Sequence, residues 1–183
     1  MIRSFNGKTP KIHPTAFVSE FAYVVGDVEI GEYSNVWPGT IIRANNHRIT
    51  LARYVNIQDR CVIHSDSDAY YGDYAVLGHG VTCHAKTVGA YTLIGNQAVI
   101  NGEAIIGEHS VVASGAVVLE RAEVPARSFV IGVPPNQEIR SANERQQGMA
   151  ERTATGYAQN GQRFKADGLG DPDAEKFYTE VKE

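Results

Sequence analysis

Beginning at Ile12, a β-branched residue returns at every sixth position without a break: Ile12, Val18, Val24, Ile30, Val36 and Ile42. The register resumes at Leu51, Ile57 and Ile63, and again from Ile94 through Ile100, Ile106, Val112, Val118 and Val124 to Val130. Four places after many of these stands a small residue, among them Ala16, Ala22, Ser34, Thr40, Ala98, Ala104, Ser110, Ala116, Ala122 and Ser128. A helix prefers a period of 3.6 and a plain strand a period of two. A period of six fits a strand-and-turn unit that buries one branched and one small side chain, with three units closing one triangular coil. Residues about eighteen positions apart then lie one above the other at the strand spacing of roughly 4.8 Å.

The pattern resembles the hexapeptide-repeat family. The resemblance implies that the coil is left-handed, against the usual right-handed crossover rule. The expected fold is all-β: a left-handed parallel β-helix over residues 1–134, with a C-terminal α-helix over 135–166 packed on the coils and a polar tail over 167–183. Two stretches interrupt the period, Ala44 to Arg48 (ANNHR) and Ser65 to Gly72 (SDSDAYYG), and their polar, turn-rich content predicts loops leaving the coil. The turn signal GVPPN, Gly132 to Asn136, ends the repeat. Ser141-Ala-Asn-Glu144 then fits a capping box ahead of a helix to about Lys165, weakened by Gly148 and Gly156.

Composition narrows the partners. The 183 residues carry 17 Lys+Arg against 21 Asp+Glu, a formal charge of −4, so no basic footprint for nucleic acid or an anionic membrane is present. The start of the chain, MIRSFNGKTPKIHP, lacks an apolar signal core, and no run approaches the roughly 18 apolar residues of a membrane span. Cys61 and Cys83 form no CxxC pattern and read as small buried groups in a reducing compartment. A cytoplasmic protein acting on small molecules is the expectation.

Six histidines are present, and three of them have a suggestive spacing. His64 and His84 are twenty positions apart, one coil plus a short insertion, so they stack on one face. His79 precedes His84 by nearly one hexad and projects from a neighbouring face. If three copies pack around a three-fold axis, the His79 side of one meets the His64/His84 side of the next. Three neutral imidazoles with one open position are a standard catalytic zinc environment. His13, His47 and His109 lack this arrangement; His47, in ANNHR, is placed to line the site mouth and His109 to be solvated in a repeat turn.

Arg43 followed by Asn45, the NIQD run Asn56 to Asp59, His64 and the GHGVTCHA run together resemble the γ-class carbonic anhydrase family over roughly residues 10–165. The resemblance implies reversible hydration of CO2 to bicarbonate by a metal-bound hydroxide at the interface of a homotrimer. It implies Zn2+, with Fe2+ or Co2+ as alternatives, held by His64 and His84 of one chain and His79 of its neighbour. It makes Gln58 a partner of the bound hydroxide, Asn56 and Tyr157 pocket residues, and Arg43 and Asp59 interface or bicarbonate-side residues. Where the family has Arg-x-Asp, this chain has Arg43-Ala44-Asn45, which keeps hydrogen-bonding capacity but loses a charge at the interface. No counterpart of an acidic proton-shuttle loop is assigned. An interface ion pair for Arg43 and Asp59, and a coil-stacking hydrogen bond for Gln58, are the structural alternatives. At the level of function the alternatives are a hexapeptide acyltransferase, an acyl-CoA thioesterase and a non-catalytic scaffold.

Overall fold

The computed structural model describes residues 1–134 and 136–179. The chain winds as a left-handed parallel β-helix, a triangular prism whose three faces are ladders of two-residue strands. The first face contains Val62–Ile63, Thr82–Cys83, Val99–Ile100 and Val117–Val118 above the leading halves of Tyr23–Ile30 and Ile41–Leu51. The second contains Ala69–Tyr71, Thr87–Val88, Ile105–Ile106 and Glu123–Val124 above the trailing halves of the same two long strands. The third runs from Phe17–Val18 through Asn35–Val36, Asn56–Ile57, Val76–Leu77, Leu93–Ile94 and Val111–Val112 to Ser128–Ile131. Glu138–Ser141 closes that ladder as an antiparallel strand, an element the repeat does not announce.

The hexad residues are the core. Val24, Ile42, Ile63, Cys83, Ile100 and Val118 form one inward column, Ile30, Leu51, Tyr71, Val88 and Ile106 a second, and Val36, Ile57, Leu77, Ile94 and Val112 a third, none more than 1% exposed. Each buried aliphatic side chain of this size contributes about 1.5–3 kcal/mol relative to exposure. The small residues sit at the corners, where Ser34 donates to the Ala52 carbonyl and Thr40 to that of Gln58, each at 2.7 Å, tying one coil to the next.

Several expectations need correction. ANNHR does not leave the coil as a loop: it lies within the continuous strand Ile41–Leu51, which turns a corner while its register against Tyr23–Ile30 shifts between Gly26 and Val28. The extra residues are absorbed as an irregularity in the ladder, with Asn46, His47 and Arg48 exposed. In SDSDAYYG only the first four residues leave the coil; Ala69–Tyr71 is a strand, and Tyr71 fills an inward position with its hydroxyl 3.4 Å from Cys83 Sγ. Burial pushes the Cys61 thiol up to about 12, so it behaves as an inert core group. His109 is not simply solvated: it ends a stack of Tyr33, Tyr54, Tyr74 and Tyr91 along one edge, with ring centroids 4.8–5.1 Å apart. All five have φ between 53° and 60°. Ring stacking worth about 0.5–1.5 kcal/mol per pair offsets the similar cost of that left-handed backbone.

The capping box is two residues later than predicted. Ser141 is still paired in the antiparallel strand, so Asn143 caps α1 (Glu144–Gln147), with Gln146 as its reciprocal partner. Gly148 breaks the helix, and α2 (Met149–Ala166) follows. Its small residues Ala150, Ala154, Ala158 and Gly161 are buried toward the third face. Phe164 and Tyr157 of α2 pack edge-on against Trp37, at 5.0 and 5.3 Å between centroids. Residues 167–179 are tied to the first coils: Gly170 bridges Ser19, Tyr178 bridges Ile12, and Ala174 joins the core. Residues 180–183 of the predicted tail and Pro135 of the GVPPN turn lie outside the described residues.

The alternation of inward and outward residues makes a direct prediction. Ile106→Ala, at a position with 0% exposure, is expected to lower the unfolding free energy by about 2–5 kcal/mol, and Ile105→Ala, at 37%, by under about 1 kcal/mol, both measured by urea titration.

Candidate metal centre

Stacking in register places chemistry at the corners of the prism. His64 follows Val62–Ile63, and the pairing of that strand with Ile41–Leu51 below and Thr82–Cys83 above sets His64 over Arg43 and under His84. The His64 and His84 rings are 5.0 Å apart, inclined at 71°. His64 Nδ1–H donates to the Arg43 carbonyl at 2.6 Å, which leaves the Nε2 lone pair available. Burial, then the neighbouring His64, pushes the His84 pKa below 6.5, outweighing Asp66, whose Oδ2 lies 3.8 Å from Nδ1. Beside them Arg43 donates from Nη1 to Asn45 Oδ1 at 2.5 Å, so the neutral Asn45 still holds the guanidinium.

His79 stands at a different corner, in the turn between Val76–Leu77 and Thr82–Cys83. Its Nδ1–H donates to Asp59 Oδ2 at 2.9 Å, a carboxylate one coil below. Its peptide is held from above: the N–H donates to Asn96 Oδ1 at 3.0 Å, and the carbonyl accepts from the Gln97 N–H at 2.9 Å. A Cβ on Gly78 would collide with that Asn96 oxygen, so only glycine permits the contact. A carboxylate on one ring nitrogen fixes tautomer and orientation, as ligating histidines require.

Next to Asp59, Gln58 is 5% exposed and Asn56 wholly buried. Gln58 Nε2 donates to Asn56 Oδ1 at 2.9 Å, Asn56 Nδ2 to Asn35 Oδ1 at 2.6 Å, and Trp37 Nε1 to the same Asn35 oxygen at 2.7 Å. Tyr157 reaches this group by packing on Trp37, and burial followed by the Asp59 charge pushes its phenol up. Asn35, Trp37 and Asn96 were not among the residues singled out in the sequence. Asn35 carried a signal nonetheless: it pairs with Asn56, a polar residue on a polar residue, in a column otherwise occupied by Phe17, Val76, Leu93, Val111 and Phe129.

The structure thus divides the predicted site residues into two sets. Arg43, Asn45, His64 and His84 share the corner that ends the first face, while Asn56, Gln58, Asp59, His79 and Tyr157 gather at the corner that begins it. Among the described residues no three His, Cys, Asp or Glu donors converge within one chain. His47 stands apart from both sets within the chain, its Nδ1 3.8 Å from Asp68 and its ring exposed. The donor chemistry suits a borderline divalent cation, with Nδ1 engaged on His64 and His79, and His84 biased to its neutral, ligating form.

The three faces differ in their outward residues. The third is covered by α2 and the second presents Lys11, Glu29, Thr50, Tyr70, Thr87, Ile105 and Glu123, a mixture of charged, polar and apolar residues. The first presents Tyr23, Ile41 and Val62 at 38–41% exposure together with Thr82, and among the described residues no helix packs over them.

The family model described as bacterial transferase hexapeptide (six repeats) matches residues 86–120. A protein of Methanocaldococcus jannaschii named probable carbonic anhydrase is 46% identical over 136 residues, 69% of this chain and 86% of that one. A carbonic anhydrase of Geobacillus kaustophilus is 33% identical over 168 residues, 91% of this chain and 92% of that one. Among solved structures, a hexapeptide transferase family protein from Anaplasma phagocytophilum superposes with a TM-score of 0.84 at 25% identity, covering 90% of this chain and 98% of that one.

In chelator-treated protein, NMR titration is expected to show the His84 imidazole titrating below 6.5. Because its folded pKa is depressed, the unfolded state binds more protons in the window between the folded value and 6.5. Stability therefore rises with pH across that window and falls as pH drops through it. His84→Gln is expected to flatten this slope in urea titrations of the metal-free protein.

Proposed function

The chain belongs to the γ-class carbonic anhydrase family of hexapeptide-repeat proteins, and from that premise we propose that it catalyses the reversible hydration of CO2 to bicarbonate at a metal site between copies in a homotrimer. The observation that carries the reading is the separation of the histidines: His64 and His84 at one edge of the first face, His79 at the other. Packing the apolar first faces around a three-fold axis brings the His79 edge of one copy to the His64/His84 edge of the next. No arrangement within a single chain does so.

His64, His84 and a neighbouring copy's His79 would hold Zn2+, or Fe2+ or Co2+, with His64 and His79 offering the Nε2 that their Nδ1 hydrogen bonds leave free. Such a cation would supply Lewis acidity and make water at the site acidic enough to ionise near neutral pH. The chain's own residues do the rest. The Arg43 carbonyl and the Asp59 carboxylate orient His64 and His79 through Nδ1. Gln58 offers an amide oxygen to an O–H donor without removing its proton. Arg43, steadied by Asn45, presents a planar fork that matches the carboxylate of bicarbonate. Tyr157 stays protonated and closes the Trp37 side of the pocket. Asp59 and Asn45 sit on the edges that would meet across the interface. CO2 and bicarbonate need no long substrate groove, and the cleft beside His84, lined by Asp66, Ser67, Asn101 and Glu103, has a volume of about 440 Å³.

Acyl transfer is the second reading, favoured by the transferase for which the Anaplasma structure is named and by the repeat model itself. Protein purified without chelators is expected to contain about one transition-metal ion per chain and to sediment as a trimer. It should hydrate CO2 in a stopped-flow assay, and His84→Ala should lower both metal content and rate at least tenfold. Metal-free wild-type protein would remove this reading, and acetyl-CoA-dependent acylation that survives EDTA would replace it with acyl transfer.

A further inference from the structure

The buried amide chain beneath Gln58 has a direction, and that direction can be deduced from the one member with no choice. An indole N–H donates and cannot accept. The Asn35 atom facing Trp37 Nε1 at 2.7 Å is therefore its oxygen. That oxygen also faces Asn56 at 2.6 Å, so the Asn56 atom there is nitrogen, and its oxygen is turned toward Gln58. The Gln58 atom 2.9 Å from that oxygen is in turn its Nε2. Asn35 completes the pattern by donating its own Nδ2 to the Tyr33 carbonyl at 3.2 Å. Gln58 Oε1 is left over. Among the described residues no buried side-chain N or O lacks a partner, and Oε1 makes no hydrogen bond, so it reaches solvent; Gln58 lines a cavity together with Gly78 and Asn96, the neighbours of His79.

From this we infer that Trp37 and Asn35 are positioning residues that fix Gln58 with its carbonyl oxygen, and not its NH2, toward the reacting species. The inference rests on the proposed CO2 hydration for the identity of that species, though not for the relay itself. A free glutamine presents either end of its amide at little cost, since the two differ only by rotation of the terminal torsion. Here such rotation would place Gln58 oxygen against Asn56 oxygen in a buried setting, and undoing that clash by turning Asn56 and Asn35 would leave Asn35 nitrogen against the Trp37 N–H. Asn35 and Asn56 are 0% exposed and Trp37 6%, so water does not substitute for a lost partner. The indole is itself clamped by Phe17, Tyr157 and Phe164, at centroid distances of 5.0–5.3 Å. In this way α2, remote from the histidines in sequence, acts on the orientation of Gln58 through Trp37.

Trp37→Phe removes the N–H while keeping an aromatic ring in the clamp, and its effect on Gln58 tests the inference in the native assembly. The first measurement is NMR hydrogen exchange of the Gln58 side-chain amide. The second is the steady-state split between kcat and KM for CO2 hydration. The expected result is strong protection of the Gln58 Nε2 hydrogens in the wild type and its loss in Trp37→Phe. With it, kcat should fall roughly tenfold at unchanged KM, metal content and sedimentation, as for an interaction used in the transition state. Wild-type Gln58 hydrogens exchanging as fast as those of an exposed glutamine would overturn the inference, and this reading does not depend on the variant folding. Unchanged kcat in a folded Trp37→Phe protein would overturn it as well. Protection in a wild type that fails to hydrate CO2 would leave the relay standing and remove the proposed reaction.

Discussion

Parallel, in-register stacking of short strands around a triangular axis is the constraint on which every other feature depends. Each face needs one inward aliphatic residue per coil, and each pair of strands needs its ladder of backbone hydrogen bonds. Under those two demands the column is conserved and the coil length is not. Val24, Ile42, Ile63, Cys83, Ile100 and Val118 remain one above another although the intervals between them run 18, 21, 20, 17 and 18 residues. Extra residues are expelled to the corners, because a corner residue can change its path without unpairing a ladder.

The same constraint makes columns of whatever stands at equivalent positions, and so concentrates chemistry along edges. One edge carries four tyrosines and a histidine in face-to-face stacks. Another carries Arg43, His64 and His84, and a third Asp59, His79 and Asn96. A rigid prism cannot bring two of its own edges together. Any chemistry needing both histidine edges has to be assembled between copies, and the face between those edges turns Tyr23, Ile41 and Val62 outward.

Buried polarity is placed with the same economy. Asn35, Asn56 and Gln58 occupy positions that face α2, and each donor or acceptor turned inward there meets a partner. Unpaired, such groups would each cost about 1–3 kcal/mol. Paired, they specify one orientation of the amide next to the site. Inside the prism, Tyr71 and Cys83 make a similar accommodation at two hexad positions that carry no aliphatic residue.

What was legible in the amino-acid sequence is what depends on spacing alone. A period of six names the coil, the branched residues name its interior, and a separation of twenty sets His84 over His64, because stacked coils convert sequence distance into position. The break in the hexads around Tyr71, the capping box displaced from Ser141 to Asn143, the continuous strand through ANNHR and the attachment of residues 167–179 to the first coils were decided by tertiary pairing. Strand hydrogen bonds to Ser128 and Val28 there outweighed local turn and cap preferences of about 1 kcal/mol. Asn96 over His79 and Trp37 beneath Gln58 belong to the same class. Hydrogen bonds between side chains of different coils depend on where atoms come to rest, and no periodicity in a chain encodes that until the coils are stacked.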